Sequence, residues 1–228
     1  ANEAKTEFLQ RMSHDIRTPI NGICGMINVA DHYADNMEKQ TECRAKIKEA
    51  SHLLLELINE VLDMSKLESD EVVLEEIPFN LNSISEEILG VIEQVAAEQN
   101  IRILWEKKEV THWNLIGSPV HVKRILMNIL SNAVKYTLKG TVTIIVSEEK
   151  KLTVTDTGMG IAPEDLPRIF EKGYTGYNGR MERKSTGIGL YLSQMAAKKL
   201  GHQITVVSKL GDGSSFTIDL AEYPLRAE

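Results

Sequence analysis

Apolar residues recur through the first 67 positions at the spacing of helices packed side by side. Between 40 and 67, Cys43, Ile47, Ala50, Leu54, Leu57, Val61 and Met64 are separated by 4, 3, 4, 3, 4 and 3 residues, an unbroken coiled-coil seam. Leu53, Ile58 and Leu62 widen the stripe beyond what two helices need, as in the core of a four-helix bundle. One chain supplies two such helices, so a second copy is expected to supply the others. Upstream, Leu9, Met12, Ile16, Ile20, Ile23, Ile27 and Ala30 repeat at 3, 4, 4, 3, 4 and 3. The doubled 4 lies beside Pro19 and breaks the heptad.

Proline within a helix removes a hydrogen bond to the carbonyl four residues back, here that of Asp15, so a bend is expected just after His14 and Asp15. At about 100° per residue the stripe of this first helix centres near Ile23 and Ile27, and His14 falls about 160° away, on a wet face shared with Thr18 and Asn21. Residues 33–39 are polar and turn the chain. The pattern then fails from 69 to 80, where Pro78 closes it. This divides the chain into a helical hairpin (1–70), a linker (71–80) and a second domain (81–228).

The second domain mixes periods. Residues 82–99, 120–136 and 188–200 read as helices, the first with Ser83 or Ser85 as N-cap and the last stopped by Gly201. Residues 101–105 read as a strand, 141–147 and 151–155 as a hairpin, and 203–208 and 215–220 as a second hairpin turning at 211–213. Three helices with clustered strands predict a two-layer α/β sandwich, making the whole chain α+β. No internal repeat or low-complexity tract interrupts it.

Composition changes the picture in three ways. The 228 residues are 42% hydrophobic and 26% charged, an ordinary globular balance. No run approaches the roughly 18 apolar residues of a membrane span, and no signal peptide opens the chain; the helix-like start reads as that of an excised fragment. The net charge of −7 disfavours nucleic acid as a partner. Residues 1–77 carry 8 Lys and Arg against 16 Asp and Glu, the rest 18 against 17, which supports two units with different tasks. Cys24 and Cys43 are too few for a disulfide framework and are expected to be buried and reduced, in a reducing compartment. His32, His52, His112, His121 and His202 show no metal-ligand spacing.

Several nucleotide motifs are absent: no P-loop, no Gly-x-Gly-x-x-Gly after a strand, and no His-Arg-Asp with Asp-Phe-Gly. Glycines nevertheless cluster in Asp156-Thr157-Gly158-Met159-Gly160, after a strand, and in Ser185-Thr186-Gly187-Ile188-Gly189-Leu190, which opens a helix. A glycine-rich helix start offers backbone N–H groups to phosphate, although each cluster alone also reads as ordinary turn glycine. Between them Gly173, Tyr174, Thr175, Gly176, Tyr177, Asn178 and Gly179, then Arg180, Arg183 and Lys184, form a cationic loop that reads as a lid or as plain surface. Asn128, Asn132 and Lys135 share one face of an otherwise apolar helix; amide oxygens are suitable magnesium ligands, and a polar outward stripe is the alternative.

Taken in order, these segments resemble the catalytic core of a two-component sensor histidine kinase, over residues 5–222. Ser13-His14-Asp15-Ile16-Arg17-Thr18-Pro19 is similar to the phosphoacceptor box of that family. The stretch from Asn128 to Tyr136 resembles its asparagine box, and Asp156 to Gly160 its first glycine box. Arg168-Ile169-Phe170-Glu171-Lys172 resembles the phenylalanine box, and Thr186-Gly187-Ile188-Gly189-Leu190 the second glycine box. Two departures stand out: Gly173 where many relatives carry a second aromatic residue, and Leu138 where proline is common.

The resemblance implies an antiparallel helical hairpin forming a dimeric four-helix bundle, followed by a Bergerat-type ATP-binding domain. It implies that His14 accepts the γ-phosphoryl group of ATP, that Asp15 orients and deprotonates the imidazole, and that Thr18 places water for phosphatase action. Asn128 is implied as the Mg²⁺ ligand, with Asn132 and Lys135 near the phosphates, Tyr136 beside the adenine and Asp156 accepting from its amino group. Gly158, Gly160, Gly187 and Gly189 would let backbone approach the nucleotide, with Phe170, Thr186 and Leu190 in the same boxes. The implied partners are a second copy of the chain and the receiver domain of a response regulator. The implied setting is the cytoplasmic part of a membrane-anchored sensor. A silent ATP-binding scaffold is the competing reading, and intact His14, Asp15, Asn128 and Asp156 argue against it. An ATPase sharing only the Bergerat fold leaves the hairpin and its histidine unexplained.

Overall fold

The computed structural model describes residues 2–68, 75–108, 110, 113–147, 150–176 and 185–220. Tyr177, Asn178, Gly179, Arg180, Arg183 and Lys184 of the expected lid, together with His112 and most of the expected linker, lie outside the described residues, as does the side chain of Leu9. The chain divides into two compact units, Ala1–Asp70 and Glu71–Glu228.

The first unit is a hairpin of α1 (Asn2–His32) and α2 (Met37–Glu68). Side chains stitch its turn. The Asn36 Oδ1 accepts from the Lys39 amide at 3.0 Å, which caps the first turn of α2. The Gln40 Nε2 donates to the carbonyl of Ala30, in the last turn of α1, and to that of Tyr33 just beyond it, which also accepts from the Asn36 amide. The Asn36 cap is why α2 starts at Met37 rather than at residue 40.

The seam of α2 runs as expected, with Cys43, Leu57 and Met64 buried and Ile47, Ala50, Leu54 and Val61 half-buried. The seam of α1 differs. Met12 and Pro19 are buried, and Ile16, Ile23, Met26 and Ala30 are half-buried, which restores a regular 4, 3, 4, 3, 4 spacing. Pro19 takes the seam position itself, because its ring is apolar and needs no donor there. Ile20 and Ile27 are exposed flank residues. Cys24 is also exposed, contrary to the expectation for both cysteines, since it lies well off the seam; only Cys43 is buried. The helix is continuous on both sides of Pro19. The α2 residues Leu53, Leu55, Ile58 and Leu62 are exposed as well.

The second unit opens with β1 (Ile77–Asn80), which pairs antiparallel with β3 (Asn114–Gly117). The expected linker, 71–80, is therefore too long at its C-terminal end: residues 77–80 are paired strand, and Asn80 donates to Asn114 at 2.9 Å. Asn80 also caps α3 (Leu81–Glu98), its Oδ1 accepting from the Ser83 amide at 3.1 Å. Neither Ser83 nor Ser85 is the N-cap; Ser85 is fully buried inside the helix. After α3 come β2 (Ile101–Lys108), α4 (Pro119–Lys135), β4 (Gly140–Ser147) and β5 (Lys151–Asp156). A short 3₁₀ turn at Leu166–Arg168 precedes α5 (Gly189–Lys199), and the hairpin of β6 (Gln203–Lys209) and β7 (Gly213–Asp219) follows.

Five strands form one mixed sheet in the order β2-β4-β5-β7-β6, with β2 parallel to β4 and the other pairs antiparallel. Strand alternation sends Val142, Ile144, Val146, Leu152, Val154, Phe216 and Ile218 to the buried face. The α4 residues Ile125, Leu126, Ile129, Leu130 and Val134 are buried in the same unit. At the far end of β2, Lys107 lies 5.7 Å from the ring centroid of Trp105 and 5.5 Å from that of Trp113, and it reaches Glu86 of α3 at 3.4 Å.

Gly201 ends α5 with φ +72° and donates to the Lys198 carbonyl, while the His202 amide donates to Ala197 at 2.8 Å. This double bond pattern closes the helix and draws the His202 ring inward. Burial pushes its pKa down to about 4, against a smaller opposing pull from Asp219. A depressed histidine pKa gives stability that is complete above the unfolded value of about 6.5 and is lost as pH falls toward the folded one. Calorimetry between pH 7 and pH 4 should therefore show the melting temperature of this unit falling, and His202→Gln should flatten that part of the curve.

Candidate active site

His14 stands on α1 with its side chain 79% exposed. Its Nδ1 faces the Asp15 Oδ1 at 3.4 Å. A neutral ring donating from Nδ1 to that carboxylate keeps its lone pair on Nε2, directed outward. One turn along, the Thr18 hydroxyl donates to the His14 carbonyl at 3.1 Å, which brings His14, Asp15 and Thr18 onto one exposed patch.

A second cluster lies in the α/β unit, where alternation along β5 places Asp156 on the same buried face as Leu152 and Val154. Only 5% of Asp156 is exposed. Burial pushes its pKa up, partly offset by backbone N–H groups of Gly158 and Ser214; the Gly158 amide donates to Oδ1 at 2.8 Å. Gly158 is tightly packed: a Cβ there would lie 2.3 Å from the Tyr136 carbonyl oxygen. That carbonyl accepts from Met159 at 3.1 Å, fastening the loop after β5 to the end of α4. Gly160 has φ +69°, and a side chain on it would strike the Lys209 carbonyl.

Asn128, Asn132 and Lys135 of α4, and Tyr136 at its C-cap, are half-buried and follow one another along the helix end. Lys135 Nζ sits 5.2 Å from the ring centroid of Tyr136. Asn128 reaches across to α5: its Nδ2 donates to Ser193 Oγ at 2.8 Å, and a Cβ on Gly189 would lie 2.4 Å from its Oδ1. Gly187, at φ +68°, accepts from the Gly173 amide at 3.1 Å. The Thr186 hydroxyl accepts from the Ile188 amide at 3.2 Å, while the first turn of α5, Leu190 included, has no side-chain cap. Its N–H groups there meet the conditions for anion binding.

The phenylalanine-box segment leads into this region. Phe170 is half-buried, and Arg168 pairs with Glu171 and lies 4.2 Å from the Tyr174 ring centroid. Tyr174 Oη donates to Asp165. Gly173 has φ +72°, a conformation open to glycine and costly for an aromatic residue. The unusual residue of that box is thus a backbone requirement, and Tyr174 brings the aromatic ring one position later.

The fold therefore joins Asp156, Gly158 and Tyr136 at one seam, and Asn128, Gly189, Gly187 and Gly173 at another. Both lie in the second unit; His14, Asp15 and Thr18 belong to the first. Sequence reasoning missed Ser193 and Asp165, and it placed Tyr174 in the lid loop without the Asp165 partner that the fold gives it. Ser193 carried a weak signal, as a serine four residues after Gly189 on an otherwise apolar helical face.

Residues 4–70 match the family model described as His Kinase A (phospho-acceptor) domain, and residues 117–224 that described as Histidine kinase-, DNA gyrase B-, and HSP90-like ATPase. The sensor histidine kinase GacS of Pseudomonas protegens is 33% identical over 230 residues, spanning 96% of this chain and 25% of that protein. AruS of Pseudomonas aeruginosa is 36% identical over 96% of this chain and 23% of its own length. The chain belongs to the sensor histidine kinase family. It spans about a quarter of the length of these curated relatives. Full-length ShkA, solved in complex with AMPPNP, superposes with a TM-score of 0.73 at 27% identity, over 97% of this chain and 47% of that one. ThkA, solved with the response regulator protein TrrA, shares the fold at a TM-score of 0.70 and 24% identity, over 93% of this chain and 60% of that one. Among the described residues no helix of this kinase core is long and apolar enough to cross a membrane.

The raised pKa of Asp156 means that its charged form opposes folding: the contribution of this one group is most favourable below the ordinary carboxylate range and is lost as pH rises through the raised value. Asp156→Asn should melt at the same or a higher temperature than the parent at pH 7.

Proposed function

We propose that this core autophosphorylates His14 from ATP, passes the phosphoryl group to an aspartate on the receiver domain of a response regulator, and dephosphorylates that partner. The observation that carries the reading is the His14 ring, exposed, with Nδ1 turned to Asp15. The Nε2 lone pair attacks the γ-phosphorus, the bond from that phosphorus to the bridging oxygen breaks, and ADP leaves. The ring becomes cationic as it bonds, and Asp15 takes up the Nδ1 proton. Such transfers depend mainly on positioning and on neutralising charge.

In this reading Asp156 accepts from the adenine amino group, and Tyr136 lies beside the ring. Gly158 and Gly160 keep the cleft wall close to the backbone, and the uncapped start of α5 from Gly187 to Leu190 receives phosphate oxygens. Thr186 holds that turn, Phe170 helps close the cleft, and Lys135 and Asn132 serve the phosphate chain. Magnesium fits as a guest of the phosphates. Asn128 and Asn132 offer neutral amide oxygens, whereas the described residues contain no cluster of His, Cys, Asp or Glu able to hold an ion unaided. Asn128 is assigned as its protein ligand, and the ion when bound neutralises charge on the phosphates.

Two copies are proposed to pair through the hairpin, covering the flank residues Ile20, Ile27, Leu55, Ile58 and Leu62, which one copy leaves exposed. Contiguous apolar residues of this kind favour association. The core is assigned to the cytoplasmic side of a longer, membrane-anchored sensor.

Incubation with γ-labelled ATP and Mg²⁺ should yield a label that is acid-labile and alkali-stable, and His14→Gln should abolish it. Equal labelling of that variant would remove His14 as the acceptor. Thr18→Ala, assayed with the cognate phosphorylated regulator, should lose several-fold more dephosphorylation than autophosphorylation; equal losses would leave Thr18 without a specialised role.

A further inference from the structure

We propose that Ser193 is a positioning residue that fixes the amide of Asn128 with its carbonyl oxygen toward the cleft and its NH₂ toward the protein; the proposal rests on the assignment of Asn128 to the metal and phosphate region. Ser193 is 3% exposed, on the second turn of α5. Its hydroxyl donates to the Gly189 carbonyl at 3.0 Å. A serine hydroxyl has one proton, and here that proton is committed to the backbone. Its oxygen can then only accept, and the group facing it at 2.8 Å is the amide of Asn128.

That commitment selects between the two amide orientations. With the NH₂ toward Ser193, a donor meets an acceptor. A flipped amide sets its carbonyl oxygen against the serine oxygen, two acceptors in a part-buried space, and leaves the NH₂ beside the start of α5, where the backbone N–H groups are themselves donors. The opposite end of the amide is confined as well, because Oδ1 rests close to the Cα of Gly189, so close that a Cβ there would come within 2.4 Å. Gly189 supplies both the carbonyl that orients the hydroxyl and the open space that admits the amide oxygen. The chain Gly189 carbonyl, Ser193 hydroxyl, Asn128 amide thus couples the phosphate-facing start of α5 to α4.

Dissociation constants of the full chain for ATP are measured with excess Mg²⁺ and again in EDTA, for Ser193→Ala, Ser193→Thr, Asn128→Ala and the Ser193→Ala/Asn128→Ala pair. Ser193→Ala should weaken magnesium-ATP binding about fivefold, as for loss of one hydrogen bond, and leave metal-free ATP within about twofold. Ser193→Thr, which keeps the hydroxyl, should bind as the parent does. The double variant should lose no more than Asn128→Ala alone. Equal weakening in both conditions, or additive losses in the double variant, overturns the proposal. A loss confined to Asn128→Ala overturns the role of Ser193 and leaves the Asn128 assignment standing. No loss in any variant overturns both.

Discussion

Burying a carboxylate is the constraint around which the nucleotide-binding unit is arranged. Asp156 lies on the helix-covered face of the sheet because β5 alternates, and the charged form is disfavoured there. Two backbone amides, from Gly158 and Ser214, partly compensate it. That arrangement demands a glycine at 158, where any side chain meets the Tyr136 carbonyl, and a tight return of the chain against the end of α4. The glycine boxes are therefore consequences of packing as much as of ligand approach.

The hairpin obeys the opposite logic. His14 sits about 160° from the seam, exposed to water, while Met12 and Pro19 pack inward and Ile16 is half-buried. Pro19 belongs in that inward set: it continues the apolar stripe through the turn that presents His14, Asp15 and Thr18. Acid and ring are neighbours in the chain, which makes their pairing a local property of α1, independent of the second unit.

Much of this was legible in the order of residues, and the exceptions have physical causes. The α2 seam, the helices of the second unit and both hairpins follow from periodicity. The α1 register differs from the expected one because Pro19, whose ring packs like any small apolar side chain, takes a seam position in place of Ile20. The strand at Ile77–Asn80 was missed because four residues containing Pro78 show no alternation, and only the distant partner Asn114–Gly117 makes them a strand. Asn80 rather than a serine caps α3 because it ends that strand, with its side chain already placed between Asn114 and Ser83. The pairing of Ser193 with Asn128 and that of Tyr174 with Asp165 are not legible in the sequence, because each pair meets only through the fold.

Lys107 reaches the rings of both Trp105 and Trp113, and these are both of the tryptophans in the chain. The indole emission of the whole protein therefore originates in the nucleotide-binding unit, at an edge formed by β2, α3 and the approach to β3. The helical hairpin has no tryptophan and carries Tyr33 in its turn instead. Melting or ligand-induced tightening of one half can thus be followed optically in the intact chain without a contribution from the other, so the two halves need not be separated to learn whether they unfold together.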